Sequence, residues 1–179
     1  MFSATGDSRD SLWTLSLRDR KVESFGGTQS SESIDAVFSP DGRWVAFDSA
    51  EGRGRSKIDV EPFPRTGARF QVTNGANPFW SPDGRELFYG EPATGTFGVV
   101  TISAQPTFVF GNPAPVPRGP LGGLGARGSQ RNYDLAPDGK QIFGTVDAST
   151  EAQSGSVAAP TIQVVLNWFE ELKQRVPVN

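Results

Sequence analysis

Three carboxylates of this chain sit in one repeated phrase. Asp41 lies in FSPDGRWVAF (residues 38–47), Asp83 in FWSPDGRELFY (residues 79–89) and Asp138 in YDLAPDGKQIF (residues 133–143). Carboxylates are what a protein without histidine or cysteine has left for acid–base or metal chemistry, and this sequence contains neither residue. Their absence excludes Ser-His-Asp and Cys-His devices, imidazole and thiolate zinc sites, and disulfides. Hydrolysis by two paired carboxylates needs no histidine. No pair of Asp or Glu, however, stands out from turns and strand surfaces. Pro40, Pro82 and Pro137 preset φ for the second residue of a type I turn; Asp can then hydrogen-bond its local backbone, and Gly42, Gly84 and Gly139 accept a positive φ. Turn formation accounts for all three Asp, so no catalytic, cofactor or metal-ligating residue is assigned.

A second pattern is polar. Four positions ahead of the first turn residue (Ser39, Ser81, Ala136) stand Asp35, Asn77 and Asn132. Strand starts are often polar, and that plain reading competes with a binding role for the three.

Other candidates fail on their surroundings. GPLGGLGARGSQ (residues 119–130) is glycine-rich but lacks the Gly-Lys-Ser/Thr ending of a phosphate loop, and reads as a linker. No Gly-X-Ser-X-Gly elbow and no kinase triplets occur. The basic cluster GRGRSK (residues 52–57) reads as an exposed hairpin turn. A net charge of −3 argues against a nucleic-acid partner. No stretch approaches the ~20 apolar residues of a membrane-spanning helix, and no signal peptide opens the chain.

The elements that carry these residues follow from the repeat. The turns recur at spacings of 42 and 55 residues, and a period of ~40–45 residues suits a four-stranded propeller blade. Phe38, Trp80 and Leu135 precede the turns as core anchors. Val45, Leu87 and Ile142 follow in one register, with Phe47 and Tyr89 two residues on, the period of a strand. KIDVEPF (residues 57–63) and FGVVTIS (residues 97–103) read as third strands, ARFQVTN (residues 68–74) and PTFVFG (residues 106–111) as fourth strands. The expected organisation is a half blade over residues 11–30, a blade over 31–75, a blade with a Pro/Gly-rich insertion over 76–130, a three-stranded last blade over 131–167, and a short helix over 168–176. Trp13, Trp44, Trp80 and Trp168 fall at packing positions.

FSPDGRWVAFDS (residues 38–49) and PFWSPDGRELFYG (residues 78–90) resemble the TolB-type, WD40-like propeller repeat over most of the chain, residues 12 to 168. VVLNWFEELKQRV (residues 164–176) resembles the C-terminal end of such propellers in large bacterial proteins, many of them Ser/Thr protein kinases. The SPDG phrase differs from the sialidase Asp-box, since here Gly directly follows Asp. The resemblance implies an all-β, partial TolB-like β-propeller of about three to four antiparallel blades. It implies a non-enzymatic module for protein or peptide recognition, periplasmic or otherwise extracytoplasmic, without cofactor. Asp35, Asn77 and Asn132 would then border the mouth of the central channel. A propeller of 4–8 blades is needed for closure, so missing blades or a second copy are expected partners. The alternatives are the propeller part of a peptidase or glycan hydrolase, or a gene fragment without independent role. Clustered carboxylates of raised pKa would favour the hydrolase.

Overall fold

The computed structural model describes residues 2–6, 9–50, 56–104, 107–116, 131 and 133–144, residues 2–6 by their backbone alone. The described residues are all-β. The first sheet contains β1 (Phe2–Gly6), β2 (Arg9–Leu15) and β3 (Val22–Ser30). The second contains β4 (Ala36–Phe38), β5 (Trp44–Ser49), β6 (Lys57–Pro62) and β7 (Phe70–Asn74). The third contains β8 (Ala76–Trp80), β9 (Glu86–Glu91), β10 (Thr96–Ser103) and β11 (Val109–Phe110), with β12 (Ala114–Pro115) also pairing with β10. β13 (Tyr133–Leu135) and β14 (Ile142–Gly144) form a two-stranded sheet. Every pairing is antiparallel, between neighbours in sequence apart from β10–β12, and none closes a barrel. This is consistent with part of a propeller. The strand expected at residues 162–166, the helix at 168–176, the insertion at 117–130 and most of the basic turn at 52–57 lie outside the described residues. β1 is a strand that the repeat pattern leaves out.

The sheets pack face to face, which explains their composition. Val45 and Phe47 of β5 join Leu12, Phe25 and Ile34 in one core cluster. Ala46, on the other face, joins Ile58, Val60 and Val72 in a second, together with Trp80, Leu87, Tyr89, Val100, Ile102 and Phe108. Phe88 of β9 turns the opposite way, to Phe79, Phe97 and Tyr133. Successive side chains of a strand alternate faces, and here both faces are covered. WVAFDS therefore reads as a near-continuous apolar run. Each such Val, Leu or Phe stabilises the fold by ~1.5–3 kcal/mol through burial.

The repeated turn has one geometry three times. The N–H of Gly42, Gly84 and Gly139 donates to the carbonyl of Ser39, Ser81 and Ala136 at 2.8, 2.9 and 2.8 Å. The Oδ1 of Asp41, Asp83 and Asp138 accepts the N–H two residues on, at 3.0, 3.1 and 3.0 Å. Ser39 and Ser81 also donate their hydroxyls to those carboxylates. These bonds hold Asp41 and Asp83 below the usual carboxylate range. The glycines, at φ near +70°, serve a further purpose. A Cβ built on Gly84 would lie 3.5 Å from Pro40 Cδ, and one on Gly139 3.4 Å from Pro82 Cδ. The second and third turns thus each rest on the proline of the turn before.

One anchor departs from expectation. Trp80 is 8% exposed and Leu135 half-buried, but Phe38 is 37% exposed. Its ring packs edge-on against Phe63, with centroids 5.0 Å apart, in place of entering a core.

Candidate functional site

The start of β4 and the middle of β8 are joined by a residue that the repeat does not flag. Asp48, near the end of β5, is 4% exposed. Its Oδ1 accepts the N–H of Asp35 and its Oδ2 the N–H of Asn77, both at 2.8 Å. Asn77 belongs to the neighbouring sheet. It sits where the β8–β9 register shifts between Ala76 and Phe79, a bulge that frees its N–H from the ladder. Its φ of 54° is a left-handed conformation that asparagine tolerates well. Pro78 follows, without an N–H to lose, on an edge strand where proline is accepted. From the last sheet, the Tyr133 hydroxyl donates to the Asn77 carbonyl at 3.0 Å.

The structure thus links Asp35 and Asn77 through Asp48, and attaches Tyr133 to Asn77. Asn132 lies outside the described residues. Its neighbours Arg131 and Tyr133 belong to the same cluster, for the Arg131 charge acts on both Asp35 and Tyr133. Two polar atoms here have unmet hydrogen-bonding capacity among the described residues: Asp35 Oδ2, an acceptor, and Asn77 Nδ2, a donor.

Burial sets the electrostatics. It pushes Asp48 up to about 6, against the two N–H donors, and the nearby Asp35 charge adds to the rise. Burial also raises Asp35, with Arg131 opposing it. The Tyr133 hydroxyl is raised too, by burial first, and stays protonated as a donor. A carboxylate with both oxygens occupied by backbone N–H groups, as Asp48 is, holds structure together. Asp35 is more open, being half-buried with one free oxygen.

Sequence reasoning missed Asp48 because the second copy of the repeat has Gly90 at the matching position, so alignment of copies discards it. The usable signal was the lone charge in the apolar run WVAFDS. Asp41, Asp83 and Asp138 are turn residues by their hydrogen bonds, and they sit apart from this cluster along the strands.

No family model matches the chain, and neither does any curated protein. Among solved structures, it is similar to a "putative 6-phosphogluconolactonase" from Bacteroides uniformis, at 16% identity and a TM-score of 0.47. It is also similar to TolB from Acinetobacter baumannii, at 16% identity and a TM-score of 0.40. The matches cover 76% and 74% of this chain but 40% and 42% of the other two, so it spans less than half the length of either.

Proposed function

We propose that the chain is a non-catalytic, TolB-like propeller module that recognises a protein or peptide. The wider setting suggested by the sequence resemblance, a larger extracytoplasmic bacterial sensor or kinase-linked protein, belongs to the same proposal. The observation that carries it is the pair of unmet polar atoms, Asp35 Oδ2 and Asn77 Nδ2, on adjacent sheets. One is an acceptor and the other a donor, the two kinds of group that a peptide backbone can satisfy. Buried groups without partners cost stability, and a ligand that satisfies both recovers that cost. Arg131 adds a cation beside them, suited to a carboxylate or carbonyl of the ligand. The test is selection of peptides from a displayed library against the chain, followed by Asp35→Lys. Loss of peptide binding with an unchanged melting temperature is expected. Binding that survives the reversal overturns the reading.

One observation favours a second reading. Asp35 and Asp48 are neighbouring carboxyls, both with raised pKa, the condition expected of a carboxylate hydrolase. Against this stands the saturation of Asp48 by two backbone donors. Release of reducing sugar from a polysaccharide panel, abolished by Asp35→Asn, would establish the hydrolase.

A further inference from the structure

Two carboxyls meet beside Asn77, and their hydrogen bonding is one proton short. Asp48 and Asp35 are tied reciprocally. The Asp48 N–H donates to the Asp35 carbonyl at 3.0 Å, and the Asp35 N–H donates to Asp48 Oδ1 at 2.8 Å. Asp48 Oδ2 is taken by the N–H of Asn77, also at 2.8 Å. Asp48 therefore has no oxygen to spare. Asp35 does, for its Oδ2 is buried and meets no donor among the described residues. An orphan acceptor beside a second carboxyl is the setting in which the pair can share a proton.

The surroundings leave Asp48 without a cation of its own. Across the ladder it faces Ile58 of β6. Asp59 and Glu61 of that strand alternate to the other face, where Arg69 and Arg65 hold them. β8 brings the uncharged Asn77. From the last sheet come the Tyr133 hydroxyl, which donates to the Asn77 carbonyl, and Arg131, whose charge acts on Asp35. Burial decides which Asp48 oxygen takes a proton. Asn77 is 3% exposed and its N–H lies outside the ladder, so losing Oδ2 would strand it. Asp35 is half-buried, and its N–H can turn to water. Protonation at Oδ1 costs less.

We propose that Asp48 and Asp35 form a proton-operated latch. One proton from solution settles on Asp48 Oδ1, the bond from the Asp35 N–H to that oxygen breaks, and the new O–H donates to Asp35 Oδ2. The pair then shares one negative charge instead of two. The Asn77 bridge between the second and third sheets stays closed, and the Asp48 N–H keeps Asp35 within reach. What changes is Asp35, whose open acceptor is filled from within. Acid therefore switches peptide binding off, a consequence that rests on the recognition role proposed above. Asp48 titrates near pH 6, so a modest acidification closes the latch.

The proton itself is the first probe. Side-chain carboxyl carbons and backbone amides of the full chain are followed by NMR from about pH 8 to about pH 4. The carboxyl carbons of Asp35 and Asp48 and the Asp35 amide should move together near pH 6, as a coupled pair does, while the Asn77 amide holds its place. Asp48→Asn mimics the closed latch, because its amide donates to Asp35 Oδ2 and its one oxygen still serves Asn77. In that variant the Asp35 amide should keep the wild type's acidic position at every pH. Asp35→Ala removes both the neighbouring charge and the acceptor, and should lower the Asp48 midpoint. That test stands even if Asp48→Asn does not fold. An Asp35 amide that ignores the titration of Asp48 overturns the latch. So does an Asp48 midpoint unchanged by Asp35→Ala, or movement of the Asn77 amide in place of the Asp35 amide.

A second arm uses a peptide selected from the displayed library at about pH 7.5, free of Asp, Glu and His. Its affinity for the wild type should fall about tenfold by about pH 5, the linkage of one proton titrating near 6. Asp48→Asn should bind it weakly and equally at both. Equal wild-type affinities overturn the switch. A library that yields no peptide defeats the recognition role instead, and the resonances alone then decide the latch.

Discussion

Asp48 accepts the backbone N–H of Asn77 at 2.8 Å, so a side chain from the second sheet completes the hydrogen bonding of a bulge in the third. The same carboxylate takes the N–H of Asp35 at 2.8 Å. Removing it strands two backbone donors, each costing ~1–3 kcal/mol when left unpaired in the interior. Asp48→Ala is expected to lower stability by about 2–4 kcal/mol, seen as a lower urea midpoint. A change below about 0.5 kcal/mol would show that relaxation or water replaces both bonds.

The ionisation of Asp48 gives stability a pH dependence of definite sign. Its pKa is about 6 in the fold against 3.8 for an ordinary aspartate, so between these values the native state binds more protons than the unfolded one. Its contribution is then fully present below the unfolded value and is lost as pH rises through about 6, amounting to at most about 3 kcal/mol. Asp35 acts in the same direction, its pKa being raised by burial. Asp41 and Asp83 act oppositely, since their lowered values help above 3.8 and are lost in more acidic solution. Urea midpoints should fall between about pH 4 and pH 6 and level off above that. Asp48→Asn should flatten that slope, leaving the weaker one due to Asp35. A wild-type profile that rises over this interval contradicts the assignment.

The strands and turns were legible because the repeat states them several times. Pro, Asp and Gly each have a local role in the turn, and local roles are visible in a single copy. Contacts between units are a different matter. That Pro40 meets Gly84, or that Asp48 reaches Asn77, depends on how one sheet rests on the next, and nothing in a 42-residue period encodes it. Phe38 was placed in the core for the same reason. Its own repeat unit is identical in kind to that of Trp80, and the neighbour beyond it makes the difference. Asp35 and Asn77 were found by register alone, while their connecting residue was hidden by Gly90 in the second copy.

Tyr89 on β9 lies across two glycines. A Cβ on Gly98, its partner on β10, would fall within van der Waals overlap of the ring, at 2.2 Å from Cζ, and one on Gly75 at 2.4 Å from Cδ2. The ring fills the space that both glycines leave, and it is 5% exposed. Gly98→Ala must therefore move a packed aromatic, at a cost of about 1–3 kcal/mol as for other overpacked sites. Tyr89→Leu in the same background should recover part of that loss by vacating the position. Equal stability of Gly98→Ala and wild type by thermal melting would contradict the contact.

Arg65 ties the first sheet to the second through three contacts at once. Its Nε donates to Glu61 at 2.8 Å, and its guanidinium lies 5.5 Å from the centre of the Phe25 ring. It also occupies the space beside Gly26, where a Cβ would come within 2.7 Å of Cζ. Glu61 is 1% exposed, and its next cation, Arg69, stands 3.9 Å away and is engaged with Asp59 at 2.6 Å. Arg65→Ala leaves that buried carboxylate poorly compensated. Arg65 is itself partly solvated, which tempers the cost to about 1–3 kcal/mol. Arg65→Lys keeps the charge but loses the flat group that stacks on Phe25, and should recover less than half of the loss. Gly26→Ala is destabilising twice, through its positive φ of 77° and through collision with Arg65. In a double-mutant cycle only the second part disappears when Arg65 is already alanine. A coupling of about 0.5–1 kcal/mol between positions 26 and 65 is expected from urea denaturation. Strictly additive losses would mean that Arg65 does not rest on Gly26, leaving the apolar cluster of Leu12, Phe25, Ile34, Val45 and Phe47 to hold the two sheets.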